Sequence, residues 1–319
     1  MPETTDIAQV LSRLARRHVE APWEQRFRFQ LDRLLGPVED GTSLLRPILD
    51  PKKETRGVLA IAGAGGGKTW TVHRTLARHP GLQSPGEGRQ PYLSSIVPSG
   101  ATYKSMAQQL LTDSGYAHDS GRRPGWETWQ MFRHRMRMLG TAVLWIDEAH
   151  DLFQREKENI LPSLKSLMQG DGAVVLVLTG TEALDAVIRS DDQVKRRFTT
   201  VRIPEVSVEQ DGANFEALIQ EYCAIAGLDA LVEPDLVGRL AVAARSRFGR
   251  MISTIVMAIE QALVMGDDIL TMDHFAEAYD HQEGCEPHRN VFLSLDWNRI
   301  DPDGSPILAL PTPARWRGR

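Results

Sequence analysis

Cysteine is nearly absent: Cys223 and Cys285 are the only two in 319 residues, and they share no CxxC spacing. That excludes a disulfide-stapled module and a cysteine-based structural zinc site, and it suits a reducing compartment. Aromatic residues are sparse, at 7%. No apolar run reaches the about 18 residues that a membrane span needs. The opening MPETTDIAQVLSRLARRH is charged where a signal peptide carries an apolar centre, so a cytoplasmic location without membrane contact is expected. Charge of one sign is lacking too. With 37 Lys+Arg against 42 Asp+Glu the formal charge is −5, so global charge selects no partner and any basic surface must be local.

What is present is 42% hydrophobic and 25% charged residues, a globular composition whose length suits about two domains. Short apolar runs at Gly57–Ala62, Tyr92–Val97, Ala142–Ile146, Ala173–Leu178 and Thr199–Ile203 alternate with helical-period segments. Near-continuous apolarity in the first, third and fourth marks strands buried on both faces, the signature of a parallel sheet between helix layers. After Pro204 the strand signal stops and helices follow, from Gly212–Ala226 to Thr271–Tyr279. Four segments are expected: an N-terminal helix (Glu20–Leu35) and linker over 1–56, an α/β core over 57–205, a helical lid over 206–283, and an extended arm over 284–319.

The strongest motif is Ala62–Thr69, AGAGGGKT, between the first strand and a helix. A phosphate chain needs inward backbone N–H groups on a glycine loop, a lysine for the β/γ charge, and a hydroxyl for Mg²⁺. Gly63, Gly65, Gly66, Gly67, Lys68 and Thr69 supply them, and the helix N-terminus adds an anion-favouring field. The consensus loop opens on glycine where Ala62 stands. Next, Val143–Ile146 ends in Asp147–Glu148. A carboxylate at that strand end can hold the magnesium shell (Asp147), and its neighbour can orient and deprotonate the attacking water (Glu148). With Ala149 and His150 the pair spells the DEAH of one helicase class, but such helicases carry two tandem RecA-like cores, and here the second half reads as helices with no second core.

A third strand ends at Thr179, a sensor candidate for the hydrolytic water or γ-phosphate. The other reading is an ordinary strand-to-helix turn in which Thr181 caps the next helix. In Asp192–Phe198, Arg197 first and Arg196 second are candidates for a guanidinium that reaches a neighbouring subunit's γ-phosphate; a solvated basic helix end is the alternative. Arg250, after Phe248–Gly249, opens a lid helix from which an arginine could fold over the nucleotide, or it is a surface arginine.

This order resembles an AAA+ ATPase, a P-loop α/β core with a small helical lid. The block Leu178–Ile188, LTGTEALDAVI, followed by Asp192–Val194 and Arg197–Phe198, is similar to the TniB/TnsC family of transposition regulators. The resemblance implies subunits that bind ATP and Mg²⁺ and assemble as a ring or helical filament around double-stranded DNA, independent of its sequence. Such an assembly links a target-selector protein to a DDE transposase and hydrolyses ATP. It also implies nucleotide contacts at Lys68 and Thr69, magnesium at Asp147, hydrolysis at Glu148 and a trans-acting arginine at Arg197. Thr102 and Lys104 correspond to the DNA-facing segment, where a hydroxyl and an ammonium suit phosphates without reading bases; a solvated helix face explains Lys104 as well. Arg133 and Arg137 share a helix face and suit either DNA or subunit packing. Two further readings stand: an AAA+ ATPase of another pathway, such as a replication initiator, loader or secretion ATPase, and a nucleotide-gated adaptor with little turnover. In the arm, Trp316 between Arg315 and Arg317 offers a docking anchor.

Overall fold

The computed structural model describes residues 4–37, 44–84, 86, 88–116 and 123–304. In chain order its elements are α1 (Thr4–Arg16), α2 (Pro22–Asp32), β1 (Leu35–Pro37), β2 (Leu45–Pro47), β3 (Gly57–Ile61), α3 (Lys68–Arg78), β4 (Tyr92–Ile96), α4 (Tyr103–Asp113), α5 (Gly125–Leu139), β5 (Val143–Asp147), α6 (Phe153–Leu167), β6 (Val175–Gly180), α7 (Glu182–Arg189), α8 (Asp192–Lys195) and β7 (Phe198–Arg202). Then follow α9 (Val208–Ala226), β8 (Asp229–Ala230), α10 (Leu236–Ala243), α11 (Phe248–Met265), β9 (Ile269–Leu270) and α12 (Met272–Glu283).

The described residues form two compact units, one lying within 18–205 and the other joining residues 4–17 to residues 206–304. In the first, five parallel strands lie in the order β4-β5-β6-β3-β7. The three inner strands β3, β5 and β6 are buried at every position, which is why their sequences read as unbroken apolar runs rather than alternating ones. The outer strand β4 alternates buried Leu93 and Ser95 with exposed Ser94 and Ile96.

Side-chain alternation then builds two cores. Leu59, Ile61, Leu144, Ile146, Leu176 and Leu178 face α4, α5 and α6 through Met106, Phe132 and Leu164. Val58, Ala60, Val143, Trp145, Val175 and Val177 face α2 and α3 through Phe27, Leu31, Val72 and Leu76. Each fully buried side chain of this size contributes about 1.5–3 kcal/mol. Thus α2 is a working part of the core, held by Phe27 and Leu31, both wholly inaccessible. Within the stretch read as extended linker, β1 and β2 pair antiparallel, Leu35 opposite Pro47.

In the helical unit, α1 packs on α9 and α11, and Arg17 Nε donates to Glu221 Oε1 at 2.7 Å. α1 therefore belongs with the C-terminal helices, whereas the helix expected over Glu20–Leu35 is α2 of the sheet unit. β8 and β9 add one short parallel pair. Among the described residues, α11 is the one helix long and apolar enough to cross a membrane. It buries Met251, Ile255, Ala258 and Ile259 and packs on α9, α10 and α12.

The extended arm expected from residue 284 is corrected as far as 304. Asn290 is buried and its Nδ2 donates to Ala276 O at 2.8 Å. Phe292 stacks on Phe275 with centroids 5.4 Å apart. Arg239 Nη1 donates to Val291 O at 2.7 Å and Ser294 O at 2.8 Å. The buried guanidinium and amide fix a segment whose own sequence shows no period. Trp316 and its flanking arginines lie outside the described residues.

Candidate functional site

The phosphate loop joins β3 to α3, and its shape follows from two glycines. Gly67 sits at φ 92°, in the left-handed region, and caps α3; a side chain would be strained there. Gly66 is required for space: a Cβ on it would stand 2.7 Å from the Cβ of Ala62. Ala62 is thus accommodated in place of the usual first glycine because Gly66 has no side chain. Gly63 O accepts from Gly66 N at 3.1 Å, closing the loop. Gly65, also left-handed at φ 77°, is exposed at the tip.

Lys68 opens α3 and is 4% exposed. Its Nζ lies 3.1 Å from Glu148 Oε1, so the buried ammonium is balanced by the carboxylate at the end of β5. Glu148 is left-handed at φ 50°, a conformation uncommon outside glycine, and its Oε2 lies 3.2 Å from His150 Nδ1. Next to it, Asp147 is 4% exposed. Its Oδ2 accepts from Thr69 Oγ1 at 2.8 Å, and its Oδ1 accepts from Glu148 N at 2.9 Å and from the Thr179 hydroxyl. Lys68, Thr69, Asp147 and Glu148, far apart in sequence, therefore form one connected cluster at the C-terminal ends of β3 and β5, which flank β6, where open α/β sheets bind ligands.

Thr69 and Asp147 offer two hard oxygen donors side by side, the chemistry Mg²⁺ takes when substrate phosphates and water complete its octahedron. Among the described residues no group of three or more His, Cys, Asp or Glu gathers as a metal cage.

Two site candidates are buried and internally paired. Thr179 has no accessible surface; its hydroxyl accepts from Trp145 Nε1 at 3.0 Å and spends its single proton on Asp147. In this geometry its hydroxyl is turned to the Asp147 carboxylate and orients it. Arg197 is turned inward rather than solvated at a helix end. It is 5% exposed, with Nη2 donating to Glu54 Oε1 at 2.7 Å and Nη1 to Lys165 O at 3.4 Å. A desolvated guanidinium paired this way is costly to withdraw. Arg196 is exposed, its Nη2 only 3.9 Å from Glu54 Oε2. Sequence reasoning missed Glu54, Trp145 and His150 as site partners, although His150 was visible in the DEAH string.

Thr102 caps α4: its Oγ1 accepts from Ser105 N at 3.1 Å while Ser105 Oγ accepts from Thr102 N at 2.8 Å. Lys104 follows in the first turn, half-buried. Arg133 is turned inward, with Nη2 donating to Gln169 O at 2.5 Å, and Arg137 Nη2 lies 3.1 Å from His134 Nδ1. Arg250 stands in the first turn of α11, in the helical unit.

A five-stranded parallel sheet in this order, with the phosphate loop after β3 and the acidic pair at the end of β5, defines a P-loop AAA+ ATPase fold. It is similar to the Cdc6p protein of Pyrobaculum aerophilum (TM-score 0.58, 15% identity, covering 89% of this chain and 76% of that one). The ORC1 protein of Aeropyrum pernix, solved in complex with DNA, has TM-score 0.58 and 16% identity, covering 85% and 71%. The ORC2 protein of the same organism, solved with ADPNP and ADP, has TM-score 0.55 and 14% identity, covering 84% and 70%. No curated protein matches the chain significantly. Residues 38–208 match the model described as bacterial TniB protein, and the chain belongs to the TniB family.

Proposed function

We propose that this TniB-family chain is an ATP-dependent regulator of DNA transposition. It binds ATP with Mg²⁺ and assembles on double-stranded DNA without regard to sequence, as a ring or helical filament. The assembly links a target-selector protein to a DDE transposase, and the chain hydrolyses ATP to ADP and phosphate in the cytoplasm. The observation that carries the reading is the Lys68–Glu148 pair set beside Thr69–Asp147. A γ-phosphate entering the loop takes over Lys68, which releases Glu148 to accept a proton from water as the water oxygen attacks phosphorus and ADP leaves. Magnesium, held by Thr69 and through Asp147, would neutralise charge on the β- and γ-phosphate oxygens. Thr179 keeps the Asp147 carboxylate oriented.

The trans arginine is reassigned to Arg196. Arg196 and Arg197 precede β7, whereas the phosphate loop follows its neighbour β3 in the parallel sheet. Five strand residues, about 16 Å, separate the two ends, so these arginines serve a second copy rather than their own loop. Thr102 and Lys104 remain the proposed DNA-backbone contacts, Thr102 by turning its hydroxyl proton from Ser105 Oγ to a phosphate oxygen.

Negative-stain imaging of the full chain with duplex DNA tests the proposal, comparing a slowly hydrolysed ATP analogue, ADP and no nucleotide. Rings or filaments on DNA with the analogue alone are expected. Dispersed monomers in all three conditions would overturn the assembly and with it the regulatory role.

A further inference from the structure

At the end of the sheet opposite the phosphate loop, the end of α2, the segment 48–56 and the turn from α8 into β7 border a cleft of about 500 Å³. Its walls carry Arg33, Lys52, Arg56, Arg196 and Arg197 against two carboxylates, Asp50 and Glu54. Each carboxylate has one oxygen committed inside the wall. Asp50 Oδ1 accepts from Lys52 N at 2.8 Å and Glu54 N at 2.9 Å, while Glu54 Oε1 takes Arg197 at 2.7 Å and Gln169 Nε2 at 2.8 Å. Lys52 and Arg56 are exposed; Lys52 lies near enough to Asp50 for its charge to be felt there, but no carboxylate within 4.0 Å pairs with either among the described residues.

Two buried polar atoms in the same wall are also unpartnered, Thr55 Oγ1 and Arg197 Nε. Thr55 is 2% and Arg197 5% exposed. A buried donor left unpaired costs about 1–3 kcal/mol, so orphans in a cleft rimmed by cations mark a place where a ligand oxygen completes the hydrogen bonding.

We infer that this cleft binds a phosphoryl anion, gripped by Arg56, Lys52 and Arg196 at the rim and met from within by Thr55 and Arg197. Guanidinium forks and an ammonium match the several oxygens of a di- or triphosphate, and charge-assisted bonds of this kind are about twice as strong as neutral ones. The phosphate comes either from solution or from the nucleotide held by a second copy of the chain. The second source rests on the assembly proposed above; the first does not.

Calorimetric titration with inorganic pyrophosphate reads the site directly. The wild-type chain is expected to take two equivalents, one at the phosphate loop and one here, and the Lys68→Ala chain one. Adding Lys52→Ala and Arg56→Ala to Lys68→Ala should weaken the remaining equivalent at least about tenfold, with the far-ultraviolet circular dichroism of the chain unchanged because both side chains are exposed. A Lys68→Ala chain that takes no pyrophosphate would overturn the site, as would a remaining equivalent indifferent to Lys52 and Arg56. ATP turnover on DNA separates the sources. If the phosphate is the second copy's, Arg56→Ala lowers turnover only under conditions of assembly; if it comes from solution, turnover is unchanged while pyrophosphate binding is lost. Should the chain never assemble, the proposed function fails and the titration still decides the cleft.

Discussion

Lys68 and Glu148 are joined at 3.1 Å across the gap between the phosphate loop and the end of β5, so the lysine proposed to meet a γ-phosphate is occupied by the carboxylate proposed to activate the water. Substrate must compete with that pair. Glu148→Gln removes both the base and the negative competitor. Hydrolysis should fall about 10²- to 10⁴-fold, while ATP binding persists and tightens. Single-turnover hydrolysis and equilibrium nucleotide binding, measured on the same variant, check the two halves. A variant that loses ATP binding along with turnover would mean that the pair holds the loop together rather than opposing the substrate.

Thr179 reaches the reaction only through Asp147. Thr179→Val keeps the shape but withdraws the proton donated to Asp147 and the acceptor for Trp145 Nε1. Turnover should drop and the Mg²⁺ concentration for half-maximal activity should rise, with a stability loss of about 1–3 kcal/mol for the orphaned groups. Thr179→Ser should restore the metal requirement. An unchanged magnesium dependence in the valine variant would reduce Thr179 to a packing residue.

The adjacent arginines should separate cleanly. Arg197→Ala leaves Glu54 buried without its guanidinium and should cost about 3–5 kcal/mol in urea unfolding. Arg196→Ala, on an exposed side chain, should stay within about 0.5 kcal/mol of wild type yet lose DNA-stimulated turnover. Equal stability losses in the two variants would contradict the burial difference.

These two residues also mark where the sequence is legible and where it is not. β3, β5 and β6 could be read because burial on both faces leaves an unbroken apolar string, and Asp147 and Glu148 because they end such a string after a phosphate loop. The burial of Arg197 depends on Glu54, which precedes it by the whole α/β unit; no local spacing announces that partner. Thr179 was visible as a polar residue at a strand end, but whether its hydroxyl faces the ligand or the neighbouring strand is set by strand register, Val177 opposite Trp145. The packing of residues 286–304 was illegible for the opposite reason, since single anchors such as Asn290 and Phe292 carry no period.

Asp185 ties α7 to the last strand. Burial alone would raise its carboxyl, but hydrogen bonding from Arg189 and the charge and hydrogen bond of Arg202 outweigh burial and hold it below the ordinary carboxylate range. A depressed folded value means stability that is complete above the unfolded value of about 3.9 and is lost as pH falls through the folded one. The urea midpoint of the wild-type chain should therefore decline more steeply below about pH 4 than that of Asp185→Asn, in which the titrating group is gone. Parallel declines would place the acid sensitivity elsewhere.

Ala62 and Gly66 share one volume. Gly66→Ala drives its methyl to 2.7 Å from the Ala62 Cβ and 3.2 Å from Gly63 O, which must move the loop and weaken nucleotide binding. Ala62→Gly alone should be close to neutral for binding, because it restores the usual loop opening. Combined, the two should recover part of the lost affinity, since the methyl–methyl collision is relieved while the contact with Gly63 O remains. That is a coupling of about 0.5–3 kcal/mol, the range for residues in contact. Nucleotide affinities of the wild type, both single variants and the double variant close the cycle, and strict additivity would show that Gly66 is needed for its backbone amide and not for the room it leaves to Ala62.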